Sequence, residues 1–149
     1  MCTGSEIRCQ LITAAELAGI EAAAKAVLPR FPWVKAAYLY GSAARGDRPA
    51  RDVDIGLVAD PIPRWGEEAR VAAQFQQACS VIEVDWDVRC LNGGDPVFLR
   101  RVLGEGRRIF EADPKARIWF EVHAISQWLD FLPGWERLRT EVLKRWGRV

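Results

Sequence analysis

Two aspartates, Asp52 and Asp54, stand one residue apart at the head of an alternating apolar run, D-V-D-I-G-L-V-A. Strand side chains repeat direction every two residues, so the pair projects from one face. Two carboxylates this close repel each other, and a cation between them relieves the cost. Their hard oxygen donors suit Mg²⁺, which takes one or two protein carboxylates and fills its octahedron with water and phosphate oxygens. Asp87 sits on the polar face of a later alternating run and is the candidate third carboxylate; Glu83 and Asp85 share that face as candidate substitutes. Upstream, Gly41-Ser42 leaves an apolar run and enters the short stretch S-A-A-R-G. Backbone N–H groups at such a turn cradle phosphate oxygens, and a glycine lets the backbone come close. Ser42 adds a hydroxyl and Arg45 a nearby cation. A carboxylate-bound metal beside a phosphate cradle is the equipment of nucleotidyl or phosphoryl transfer.

These residues need elements to hold them. Thr13-Ala-Ala-Glu16 is a capping box that opens a helix, followed by Leu17, Ile20, Ala24, Val27 and Leu28 at helical spacing, with Pro29 and Pro32 as the stop. W-V-K-A-A-Y-L-Y, Trp33 to Tyr40, suits a buried strand. Asp52 to Ala59 alternates as a second strand, with Val53, Ile55 and Leu57 on one face. Glu67 to Cys79 reads as a helix with Ala69, Ala72, Phe75 or Gln76, and Cys79 inward. Ile82 to Leu91 alternates again. Asp95 is an N-cap with Pro96 at the first helical position, and R-R-I-F-E-A is a short last strand. The tail carries an apolar stripe through Ile118, Val122, Ile125, Leu129 and Leu132; Pro133-Gly134 interrupts it, and Trp135, Leu138, Val142 and Trp146 resume it. The expectation is an α/β (α+β) fold: a mixed sheet of about four strands, helices on one face, the carboxylates on the open face, and a helical tail. One domain spans 1–149, with its core at about 13–111 and its tail at about 113–149.

Composition agrees with a folded domain. Half the 149 residues are hydrophobic, 28% are charged, and the net charge is +1, which argues against disorder and against a polyanion-binding tail; direct DNA binding is not expected. No apolar run approaches the roughly 20 residues of a membrane span, and the first ten residues lack a signal peptide's apolar stretch. A cytoplasmic protein is expected. Cys2, Cys9, Cys79 and Cys90 form no C-x-x-C pair, and one histidine, His123, is present, so neither a zinc site nor a disulfide framework is expected. His123 reads as a surface residue, and Arg100, Arg101, Arg107 and Arg108 as a solvated basic face, or else as a contact for an acidic partner or RNA.

The G-S-A-A-R-G stretch followed by D-V-D-I-G-L-V resembles the nucleotidyltransferase fold shared with polymerase beta, in its minimal (MNT) branch. Arg117, Phe120, Glu121, Trp128, Leu129, Asp130 and Phe131 make the tail similar to MNT antitoxins paired with HEPN toxins. The resemblance runs from about Val34 to Leu132. It implies that Asp52, Asp54 and Asp87 are catalytic and bind metal, two Mg²⁺ ions being expected, while Gly41, Ser42 and Arg45 bind the nucleotide, ATP. It further implies that AMP is transferred to a tyrosine of a cognate HEPN ribonuclease toxin. Two departures stand out: nine residues separate Ser42 from Asp52, one fewer than the commonest form of the family, and Arg51 stands where a serine often precedes the first aspartate. They motivate a second reading, a catalytically weak antitoxin that masks its toxin by binding alone. A third is transfer of AMP to a small hydroxyl compound of the aminoglycoside type. Seven tryptophans are many for this length. Those of the tail either pack on the body or form an aromatic surface for the toxin or a second copy of the chain.

Overall fold

The computed structural model describes residues 12–46, 49–50 and 52–147. In chain order it runs α1 (Ala14–Val27), a 3-10 turn (Leu28–Arg30), β1 (Val34–Tyr40), α2 (Gly41–Arg45), β2 (Asp52–Ala59), α3 (Glu67–Ala78), β3 (Asp85–Cys90), α4 (Pro96–Glu105), β4 (Arg107–Glu111) and α5 (Pro114–Arg145). The capping box at Thr13 forms as the sequence predicts: its backbone N–H donates to Glu16 Oε2 at 2.8 Å, and the Glu16 N–H donates to Thr13 Oγ1 at 3.1 Å. Asp95 caps α4 by accepting from the Phe98 N–H at 2.9 Å.

The four strands form one mixed sheet in the order β3-β2-β1-β4. β1 pairs antiparallel with β2 and β4, while β2 and β3 run parallel. A parallel neighbour requires a crossover, and α3 supplies it. The buried line of α3 is Val71 and Phe75, continued by Cys79; Ala69 does not face inward. Phase decides this, because Val71, Phe75 and Cys79 repeat every four residues and so share one face. Trp86 of β3 stacks on Phe75 with ring centroids 5.2 Å apart.

Helices lie on both faces of the sheet, where the sequence reading had them on one. α1 and α3 cover the face made by Val53, Ile55, Leu57, Ala37 and Leu39. α4 and α5 pack on the other face, against Ala36, Tyr38, Tyr40, Val58 and Leu91. The physical reason is in β1: both of its faces are apolar, so each must be covered. The β2–β3 corner of the second face, where the aspartates stand, is left to polar groups.

Two boundaries also differ. β3 begins at Asp85, so Glu83 precedes the strand, although Ile82 and Val84 are still buried in the core. α5 is one continuous helix through Pro133, not two segments. Proline there deletes one backbone donor, and the surrounding turns are exposed. A network pins the first half of α5 to the sheet. The buried Tyr38 hydroxyl donates to Glu121, Arg117 pairs with Glu121 at 2.7 Å, and Arg117 also pairs with Glu111. The tail residues Arg117 and Glu121 are thus fastenings of the helix.

Candidate active site

The β2–β3 register assembles the acidic corner. Asp54 lies across from Asp87, and Asp52 across from Asp85, while Tyr40 of β1 flanks Asp54 on its other side. Paired residues of neighbouring strands share a face, so four carboxylates project from one corner, opposite the buried Val53, Ile55 and Val88. Of the candidate third carboxylates, Asp87 is the neighbour of Asp54; Asp85 is exposed beside Asp52, and Glu83 lies outside the strand.

The register is held just beyond β3. The Asn92 side chain donates to the Ala59 carbonyl at 2.9 Å and accepts from the Ala59 N–H at 2.8 Å, reproducing a strand pairing with an amide. The Leu91 N–H donates to the Leu57 carbonyl at 2.8 Å. Leu91 also lies over Gly56, where a Cβ would come within 2.6 Å of it. A slip of one residue would turn the aspartates toward the core, and Leu91-Asn92 resists that slip.

Gly41 is required twice over. Its φ of +72° is left-handed, and a Cβ there would overlap a carboxylate oxygen of Asp54. The turn into α2 therefore presses against the half-buried Asp54. Ser42 is half-buried at the start of α2. Arg45 ends that helix and pairs with Glu105 of α4 at 3.2 Å. Arg51 and residues 47 and 48 lie outside the described residues, as do Cys2 and Cys9.

Between these elements opens a cleft of about 290 Å³, lined by Tyr40, Gly41, Arg45, Asp54, Arg89 and Arg101, with Phe98 and Glu105 of α4 completing it. Tyr40 and Phe98 meet edge to face at 5.5 Å and form its apolar wall. Burial pushes the Asp54 carboxyl up to about 6; the charges of Asp52 and Asp87 add to the effect, and Arg89 and Arg101 oppose it. Burial, reinforced by the charge of Asp54, pushes the Tyr40 phenol up to about 12. Among the described residues the Asp54 carboxylate accepts no hydrogen bond and makes no ion pair.

Arg89 and Arg101 are cleft residues that the sequence reading left out. Arg89 shares the acidic face with Asp87 by alternation, and Phe98, Arg101 and Glu105 follow one face of α4 by helical spacing, so both signals were present. The four arginines are all exposed, as expected of a solvated face, but they make different contacts. Arg101 turns into the cleft, Arg100 lies over Trp128 at 5.1 Å, Arg107 pairs with Glu21 at 2.5 Å, and Arg108 pairs with Glu111 at 3.1 Å. His123 is exposed, as expected.

The donor chemistry fits a divalent cation. Asp54 is a half-buried carboxylate without a partner among the described residues, and Asp52 is the next carboxylate on its face. Asp87 is engaged: Arg89 Nε lies 3.0 Å from each of its oxygens, and Arg89 Nη2 lies 2.5 Å from Oδ2. Among the described residues no three acidic, histidine or cysteine side chains converge tightly enough to hold an ion together. Among them, too, no helix is long and apolar enough to cross a membrane.

The family model for "Polymerase beta, Nucleotidyltransferase" matches residues 23–115, most of the chain and all of the corner described above. No curated protein matches the sequence. Among solved structures, a toxin-antitoxin with AMP-PNP is 21% identical, covering 83% of this chain and 98% of that one with a TM-score of 0.67. A toxin-antitoxin MntA-HepT is 19% identical over 83% of this chain and 97% of that one, with a TM-score of 0.62. A Shewanella oneidensis complex of tri-AMPylated HEPN toxin with MNT antitoxin is 19% identical over 85% and 98%, with a TM-score of 0.64. At these identities the likeness is one of fold.

Proposed function

We propose, for a chain that belongs to the polymerase beta nucleotidyltransferase family, that it is an MNT antitoxin which transfers AMP from ATP to a tyrosine of a partner HEPN toxin. The observation that carries the chemistry is Asp54, a half-buried carboxylate without a partner among the described residues, beside Asp52 and across from Asp87, with Gly41 pressed against it. Such a group is costly unless a cation joins it. The similarity in fold to a toxin-antitoxin with AMP-PNP and to a complex of an AMPylated HEPN toxin with an MNT antitoxin supports the partner and the nucleotide.

In this reading Asp52 and Asp54 would hold the magnesium ions, with Asp87 as a further ligand; when bound, magnesium supplies charge neutralisation for the triphosphate. The α2 turn at Gly41-Ser42 receives the phosphates, and Arg45 and Arg101 face them from two sides of the cleft. The acceptor tyrosine oxygen attacks the α-phosphorus, its proton passes to the Asp87 carboxylate, and the bond to pyrophosphate breaks in line. A supply of ATP fits a cytoplasmic protein. Mass spectrometry of the partner after incubation with ATP and Mg²⁺ should show a tyrosine carrying AMP, and Asp52→Asn with Asp54→Asn should abolish it while the fold survives. Retained transfer in that double variant would sink the metal assignment.

A second reading has its own support. With both Asp87 oxygens engaged by Arg89, a catalytically weak antitoxin that masks its toxin by binding alone also fits. ATP consumption separates the two readings, because masking needs no nucleotide.

A further inference from the structure

The Asp87–Arg89 pair joins two residues of one strand face and ties no two elements together. A fold-stabilising role is therefore a poor account of it, since exposed ion pairs contribute little. Its position is more telling. Asp87 is the cross-strand neighbour of Asp54, and Arg89 also lines the cleft, together with Arg101 and Gly41. The guanidinium thus touches the acid that would take a metal or a proton and borders the space that would take phosphates. Arg89 is 61% exposed and Asp87 33%, so the side chain is free of the packing that would lock it to one partner.

We propose that Arg89 is a positioning residue exchanged between two anions: it caps Asp87 in the free chain and transfers to the phosphates of an incoming nucleoside triphosphate, which uncovers Asp87. The inference rests on the nucleotidyl-transfer reading above. A guanidinium fork matches carboxylate and phosphate alike, forming paired charge-assisted hydrogen bonds with either. Uncapping leaves Asp87 and Asp54 side by side without a counter-charge between them, a state a divalent cation would stabilise and the metal-free chain would avoid. Nucleotide and metal then favour each other's binding. Before the nucleotide arrives, the acid that would accept the tyrosine proton is held closed.

Binding to the full chain, measured without turnover, tests this. Mn²⁺ alone is titrated by electron paramagnetic resonance, and a non-hydrolysable ATP analogue is titrated by calorimetry in EDTA. Arg89→Gln should bind Mn²⁺ alone more tightly and the metal-free analogue more weakly, each by on the order of ten-fold. Arg89→Lys should fall between, since it keeps the charge and loses the fork. Opposite shifts are the signature, because a loosened site would weaken both and a bystander would move neither. If the native chain binds both ligands and Asp52→Asn with Asp54→Asn removes Mn²⁺ binding, yet Arg89→Gln shifts neither or both together, the exchange is wrong and the nucleotidyl-transfer reading stands. If the native chain binds neither ligand, that reading fails and takes this one with it.

Discussion

Asp54→Asn removes one charge from the acidic corner and keeps its shape, so it isolates the cost of holding that charge without a cation. Burial and the neighbouring Asp52 and Asp87 raise the carboxyl from 3.8 to about 6. In a dry site that change would amount to about 3 kcal/mol against the charged form at neutral pH. The side chain is only half-buried, and solvent screening brings the expected figure down to about 1–1.5 kcal/mol. The sign follows from proton counting. Unfolded, the carboxyl ionises near pH 3.9, so between about pH 4 and 6 the folded chain binds more protons than the unfolded one. Stability therefore falls as pH rises through that window, and the full cost stands above it. In EDTA at pH 7.5 the variant should melt about 3–5 °C above the native chain, and at pH 4 the two should coincide. Millimolar Mg²⁺ at pH 7.5 should raise the native chain and leave the variant in place. A variant less stable than the native chain at pH 7.5, or a gap equal at both pH values, would refute the claim that this carboxylate is strained.

Other parts of the molecule make separate predictions. Asp87→Asn should abolish AMP transfer, measured with labelled ATP, while nucleotide binding persists; Asp85→Asn should be nearly silent, and the reverse pattern would move the third carboxylate by two residues. Asn92→Ala breaks both hydrogen bonds to Ala59 and should lower stability by about 1–2 kcal/mol in urea titration, with transfer falling further as the β2–β3 register loosens. Glu121→Ala strands the buried Tyr38 hydroxyl and takes from Arg117 one of its two carboxylate partners, leaving Glu111, and should cost about 2 kcal/mol without changing nucleotide affinity. Trp135 is 40% exposed and Trp146 75%, so replacing both with alanine should weaken capture of the partner toxin and leave the melting temperature of the isolated chain almost unchanged; intact binding with a large loss of stability would make them core residues.

What could be read along the chain was what depends on near neighbours. The capping box at Thr13, the common face of Asp52 and Asp54, the alternation around Asp87 and the apolar run of β1 all follow from local geometry, where the period of a helix or strand sets direction. So did the acidic face of β3, including Arg89, although its place at the cleft did not. Even the tail's helical character was legible in its spacing; its continuity through Pro133 was not, because one lost backbone donor is tolerated or not according to what surrounds it. Contacts between distant segments were decided only by tertiary structure. The parallel register that sets Asp87 beside Asp54 depends on Asn92 reaching Ala59 and Leu91 filling the space over Gly56. That α4 lies on the second face, turning Arg101 into the cleft, depends on Tyr38 and Tyr40 needing cover there. Strand alternation names which residues share a face, but which helix closes that face is settled by packing between residues tens of positions apart, and no local period carries that information.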